Sequence, residues 1–176
     1  MKAKIIHPQS NIILPHDARV VFLAGPVQGA DDWQMQLGEQ LAEQLEDIFI
    51  ATPRVPKKDN SFDYLRQVSW EKTHLQLAAN NGILVFWFAA QNPNLDYESG
   101  RAYAQTTRLE IGRAFGWLDH NPDLKLVVGF DKDYAKNGGG SERYIRTLCA
   151  EHDISLTTSI EDTVSKILML ALPNSK

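Results

Sequence analysis

The sequence predicts an α/β fold, a doubly wound three-layer sandwich built on a five-stranded, mostly parallel sheet. Three observations point there. Short apolar runs alternate with longer amphipathic ones along the chain, as strand–helix units do. "GILVFWFA" (82–89) is apolar throughout, which suits a central parallel strand covered on both faces. The 176 residues carry no repeat, low-complexity tract or linker that would divide them, so a single domain is expected.

Taken in order, residues 1–18 fit no strand–helix unit and read as an extended N-terminal arm, which leaves 19–176 as one domain. "RVVFLAG" (19–25) is a buried-strand pattern closed by Gly25-Pro26. "DDWQMQLGEQLAEQLE" follows with an acidic start and Trp33, Leu37, Leu41 and Leu45 at helical spacing. "IFIATPRV" is a strand stopped by prolines. "SFDYLRQVSWEKTHLQLAAN" is a long helix with Phe62, Leu65, Val68 and Leu75 along one side. After the strand at 82–89 come a helix around "TRLEIGRAFGW", a strand "LKLVVGF", a helix "SERYIRTLCAEH", a strand "ISLTT" and a last helix "SIEDTVSKILMLAL". Right-handed crossovers between such strands make a parallel sheet. Ligands then bind at the carboxyl ends of the strands, near the point where strand order reverses.

The bulk numbers narrow the partners. A net charge of −4 (22 acidic against 18 basic residues) argues against a nucleic-acid polymer. No apolar run approaches the roughly 20 residues that span a bilayer, and the start lacks a signal peptide's apolar core. The single cysteine, Cys149, has no internal disulfide partner. A cytoplasmic protein acting on a small molecule is the expectation.

Several familiar chemistries are excluded by their missing motifs. "GPVQGADDW" has neither the Lys-Ser/Thr ending of a P-loop nor G-x-G-x-x-G, and its two aspartates would repel a phosphate. The five histidines never fall at ligand spacing, so neither metal nor cofactor is expected. No serine sits in a G-x-S-x-G elbow. What remains near the strand ends is carboxylates and aromatics: Asp31, Asp32 and Trp33, then Asp96, Glu98 and Glu110, then Asp131 and Asp133. Carboxylates without a metal motif fit chemistry at an acetal-like carbon, one as nucleophile and another shuttling protons. Trp33, Trp87 and Phe88 offer either a stacking face or core packing.

Glu110 has two readings. Thr107-Arg108-Leu109-Glu110 matches the capping box S/T-x-x-E, in which the glutamate closes back on the helix start. The same place would also keep a nucleophilic carboxylate ionised at neutral pH, because a helix N-terminus favours negative charge.

"VFLAGPVQGADDWQ", "LRQVSWEKTHLQLAANNGILVFWF", "QTTRLEIGRA" and "KLVVGFDKDY" resemble, in order, the signatures of the nucleoside 2-deoxyribosyltransferase-like family. The resemblance runs from about residue 20 to the last helix, and its more specific pieces are the "FLAGP" turn and the T-x-x-E-[IL]-G segment. It implies a flavodoxin-like sheet and a family nucleophile at Glu110, which takes the sugar as a covalent glycosyl-enzyme. It also implies a small-molecule nucleoside or nucleotide substrate and a homo-oligomer, dimer or larger. Gly25, Pro26, Gln28, Asp32, Trp33 and Thr107 would contact that substrate, and Asp96 or Glu98 would supply the proton. The better-known transferases carry D-x-G-T-x-x-E, whereas the positions of that aspartate and glycine are Ala104 and Thr106 here. The expected activity is cleavage of an N-glycosidic bond with transfer of the sugar. A hydrolase using the same carboxylate, or a non-catalytic nucleotide sensor whose Glu110 only caps its helix, are the alternatives.

Overall fold

A computed structural model describes residues 1–10, 12–55, 63–97, 100–136 and 141–171. The elements in chain order are β1 (Lys4–Ile6), β2 (Val20–Ala24), α1 (Trp33–Gln44), β3 (Phe49–Ala51) and α2 (Tyr64–Asn81). They continue with β4 (Ile83–Phe88), α3 (Gln105–Leu118), β5 (Leu126–Phe130), α4 (Glu142–Glu151) and α5 (Ile160–Ala171). One five-stranded sheet has the order β1-β3-β2-β4-β5, and every neighbouring pair in it is parallel. This is the α/β three-layer architecture that the alternating pattern predicts, consistent with a flavodoxin-like fold.

Strand direction and connection order place the helices. The chain moves one way from β2 to β3, then crosses back over β2 to reach β4 and continues outward to β5. Right-handed crossovers therefore set α1 on one face of the sheet and α2 and α3 side by side on the other. α1 packs on α5, while α2 lies over β2 and β4. The strand order reverses at β2 and β4, so the crevice above their carboxyl ends is the expected ligand position.

The strands are buried because both faces are covered. Every residue of β2, β4 and β5 is buried. β4 is an interior strand between β2 and β5, as its unbroken apolar run requires. In α1, Trp33, Leu37, Leu41 and the following Leu45 are all buried, and each leucine contributes about 1.5–3 kcal/mol of transfer free energy. Asp32 caps that helix by accepting from the Met35 N–H at 3.1 Å. At Gly82 an added Cβ would collide with the Val20 carbonyl, so only glycine lets α2 turn into β4 that close to β2.

Three segments differ from the sequence reading. Residues 1–18 are more than an arm, because Lys4–Ile6 pair in parallel with Phe49–Ala51 and extend the sheet by an edge strand. Its lone fully buried position, Ile6, gave too short a pattern to recognise. "ISLTT" supplies a single parallel bridge, Thr157 to Gly129, rather than a strand. Thr157 is then drawn into a hydroxyl contact with Thr163 at 2.7 Å as the chain turns into α5. In α2 the buried residues are His74, Leu75, Ala78 and Ala79, while Leu65 and Val68 are exposed. Phe62, counted on the same apolar side, lies outside the described residues.

Candidate functional site

The crevice is framed by two loops stitched to each other. After β2 the chain turns at Gly25 and Pro26, where an added Cβ on Gly25 would strike the Trp87 carbonyl and the Trp33 ring. Trp33 lies buried beneath this turn and donates its indole N–H to the Pro26 carbonyl at 3.0 Å. It supports the floor, and no open stacking face is left on it. Trp87 and Phe88 are likewise core residues. From the opposite loop, Asn92 donates its backbone N–H to the Gly29 carbonyl (2.8 Å) and its amide to Asp31 (2.7 Å). Tyr97 packs over Gly29, whose φ of 69° suits glycine.

Arg54, just past β3, locks the first loop from below. Its Nη2 donates to the carbonyls of Val27, Ala30 and Asp31 at 3.0–3.1 Å. Its Nε serves Gln34 Oε1 and Asp32 Oδ1, both at 3.1 Å. Asp32 is thus occupied by a cap and an ion pair. Gln28 is exposed at the loop tip. Behind the crevice, buried Tyr103 donates to the Ala89 carbonyl at 3.0 Å, and its ring meets Tyr97 edge-on at 5.7 Å. Burial pushes the Tyr103 hydroxyl well above the ordinary tyrosine range and raises that of Tyr134 too, which keeps both neutral.

Glu110 is not a cap. α3 begins at Gln105 with Ala104 as its N-cap residue in a left-handed conformation, and no side chain caps that end. Thr107 is already inside the first turn and buried, so the Thr107–Glu110 capping box does not form. Glu110 falls in the second turn, beside the buried stripe of Thr107, Ile111 and Ala114. The expectation of an ionised carboxylate is also overturned. Burial lifts Glu110 from its ordinary value of 4.5 to about 8, with the Glu71 charge adding to the rise and Arg113 opposing it. At neutral pH the free protein therefore holds a proton there.

Glu71 is the residue that sequence reasoning missed. It projects from the second turn of α2, on the face that also carries Gln67, His74, Leu75 and Ala78. Gln67 donates one amide to the Pro53 carbonyl (2.8 Å) and to Glu71 Oε1 (2.6 Å), fixing that carboxyl against the end of β3. Burial raises Glu71 above the usual carboxylate range, and the Gln67 bond holds it back. The signal is present in the sequence as polar residues at 67, 71 and 74, which share helical spacing. His74 Nδ1 donates to the Trp70 carbonyl at 2.8 Å, and its ring stacks on Trp70 at 4.0 Å. Asp96 is exposed on the loop after β4 and is not among the charges acting on Glu110. Glu98 lies outside the described residues.

A cavity of about 250 Å³ opens at the other end of the sheet, among Arg19, Gly82 and Lys125. It is distant from both glutamates, so chemistry rather than volume marks the candidate site. Among the described residues, no cluster of three or more His, Cys, Asp and Glu is placed to hold a metal ion. No helix among them is long and apolar enough to cross a membrane.

A family profile described as nucleoside 2-deoxyribosyltransferase like matches residues 18–114, more than half of the chain. The chain belongs to this family. The matched span runs from β2 into α3 and takes in the Gly25-Pro26 turn, Arg54, Glu71 and Glu110. No curated protein matches the chain. As a member of the nucleoside 2-deoxyribosyltransferase-like family, it carries a carboxylate pair on two adjacent helices beneath the switch-point crevice. A carboxylate in that place is of the kind that can attack an anomeric carbon, which is what glycosyl chemistry requires.

Proposed function

We propose that this protein cleaves the N-glycosidic bond of a (deoxy)nucleoside or nucleotide by double displacement, with Glu110 as nucleophile, and hands the sugar to a second base. Glu110 attacks the anomeric carbon, the base departs through an oxocarbenium-like transition state, and a glycosyl ester remains on the enzyme. The acceptor base then displaces Glu110. The observation that carries this reading is the place of Glu110: a half-buried carboxyl in the family-matched segment, under the crevice and free of any capping role. Gly25 and Pro26 form the floor on which a ligand can approach the backbone, and Gln28 reaches from the rim.

The test is base exchange. Incubation with a panel of nucleosides and nucleotides should release free base, and an added second base should appear as a new nucleoside. Release that is unaffected by acceptor base, with the sugar recovered free, identifies a hydrolase using the same carboxylate. The sensor reading is favoured by Ala104 and Thr106, which replace the aspartate and glycine of the better-known transferases. Tight nucleotide binding with no release of base would establish it.

A further inference from the structure

We propose that Asp31, Asn92 and Tyr97 form the base-binding end of the crevice: Tyr97 stacks on the nucleobase, and the Asp31–Asn92 pair reads its hydrogen-bonding edge. This rests on the nucleoside reading above and deepens it by assigning the base to one wall of the crevice.

Asp31 and Asn92 meet across the two loops that frame the site, and each keeps one hydrogen-bonding position open. Asn92 donates its backbone N–H to the Gly29 carbonyl at 2.8 Å and one amide hydrogen to Asp31 Oδ1 at 2.7 Å. Its own Oδ1 accepts from the Asn94 N–H at 2.9 Å, which fixes which way the amide points. Asp31 is pinned from behind, because its carbonyl accepts from the Trp33 N–H at 2.8 Å and from Arg54 Nη2 at 3.0 Å. Among the described residues, no hydrogen bond takes up Asp31 Oδ2 or the second amide hydrogen of Asn92. The exposed Asp31 and half-buried Asn92 therefore present one acceptor beside one donor, in a frame set before any ligand arrives.

That pair suits a base rather than a phosphate. The Watson–Crick edge of a nucleobase carries an N–H next to a carbonyl or ring nitrogen, the complement of one acceptor and one donor. A carboxylate accepts such an N–H in a charge-assisted bond, whereas it repels an anionic group. Stacking is supplied by a ring other than those the sequence singles out. Trp33, Trp87 and Phe88 are buried in the core, but Tyr97 is half-buried at the rim. Its ring lies over Gly29, where an added Cβ would come within 2.9 Å of Cδ2. A hydroxyl bond to the Ala102 carbonyl at 2.9 Å and an edge-on contact with Tyr103 at 5.7 Å hold the ring in place. A fixed aromatic face beside an edge-reading pair is how single bases are commonly bound, stacking giving affinity and hydrogen bonds giving selectivity. With the base at this end, the sugar extends toward the start of α3, the helix that carries Glu110.

Binding measured without turnover decides it. Dissociation constants are read by NMR chemical-shift titration in the Glu110→Gln background, so that no nucleoside is consumed. The ligands are 2′-deoxyguanosine against 1-methyl-2′-deoxyguanosine and thymidine against 3-methylthymidine, each pair differing by one methyl on the edge. With the three residues intact, the unmethylated member of at least one pair should bind about 10-fold or more tightly than its partner. Asp31→Ala and Asn92→Ala both keep the backbone bond to Gly29, and each should bring the two members to within about 3-fold. Tyr97→Leu should weaken both members about 10-fold or more at an unchanged ratio, and Tyr97→Phe should restore binding. Loops that are only stitched together would lose both members equally in Asp31→Ala. A ratio that survives Asp31→Ala overturns the proposal, as does intact protein that ignores the methyl group or binds none of the four nucleosides. Base release by wild type without edge-dependent binding removes this inference and leaves glycosyl transfer standing. Edge-dependent binding without base release does the reverse.

Discussion

Replacing Glu110 by glutamine should make the protein more stable, and increasingly so as pH rises. In the unfolded chain Glu110 titrates near its ordinary 4.5, and in the fold near 8. Between those values the folded state binds the proton and the unfolded state does not. Unfolding stability therefore falls as pH rises across that window, by up to ~1.4 kcal/mol per pH unit for one group. The full gap corresponds to about 5 kcal/mol at most, and water entering the crevice beside an ionised Glu110 reduces this to roughly 2–3 kcal/mol. Below pH 4.5 both states are protonated and the group contributes nothing to the slope. Glutamine is neutral throughout and lacks this contribution. Urea midpoints of wild type and Glu110→Gln should nearly coincide at pH 5 and diverge steadily to pH 8.5, the variant being the more stable. A cap would behave in the opposite way, losing stability when weakened and showing no such divergence. Parallel midpoints across pH 5–8.5 would refute the buried, protonated carboxyl.

Three further outcomes follow from the frame of the site. Gly25→Ala should cost about 1–3 kcal/mol, because the new methyl meets the Trp87 carbonyl and the Trp33 ring, and a urea midpoint equal to wild type would contradict that packing. Arg54→Ala strips a donor from three loop carbonyls and from Gln34, so a loss of about 2–3 kcal/mol is expected, with faster amide exchange in residues 25–32. Unchanged exchange there would mean the loop holds without it. Tyr64, Leu65 and Val68 on α2 and Leu109 on α3 are exposed on one layer, so light scattering should give at least twice the mass of one chain, and a monomer at all concentrations would count against self-association.

The parts of the fold legible in the sequence were those where one signal dominates. β4 is six apolar residues with both faces covered, and no other assignment suits them. α1 was legible because Asp32 marks its start and its leucines keep helical spacing. β1 was not, since three residues at a sheet edge bury one side chain fully and carry too little pattern to stand above a loop. The capping box around Glu110 was a coincidence of letters: the helix starts two residues before Thr107, at a place no local side chain announces. Glu71 is hidden because apolar residues at helical spacing mark the core side of most helices. Leu65 and Val68 looked like the inward side of α2, yet that helix turns Gln67, Glu71 and His74 toward the sheet. A polar stripe on an inward face violates the binary pattern, and such violations concentrate at functional sites.

Whether Glu110 carries the sugar is read most directly by mass spectrometry of the protein and its peptides. Wild type is incubated with a panel of nucleosides and nucleotides, quenched in acid and digested. An added mass equal to one glycosyl group is expected, located to the peptide holding Glu110 and absent from Glu110→Gln. Released base together with an adduct on another residue, or with turnover by Glu110→Gln at the wild-type rate, would contradict it.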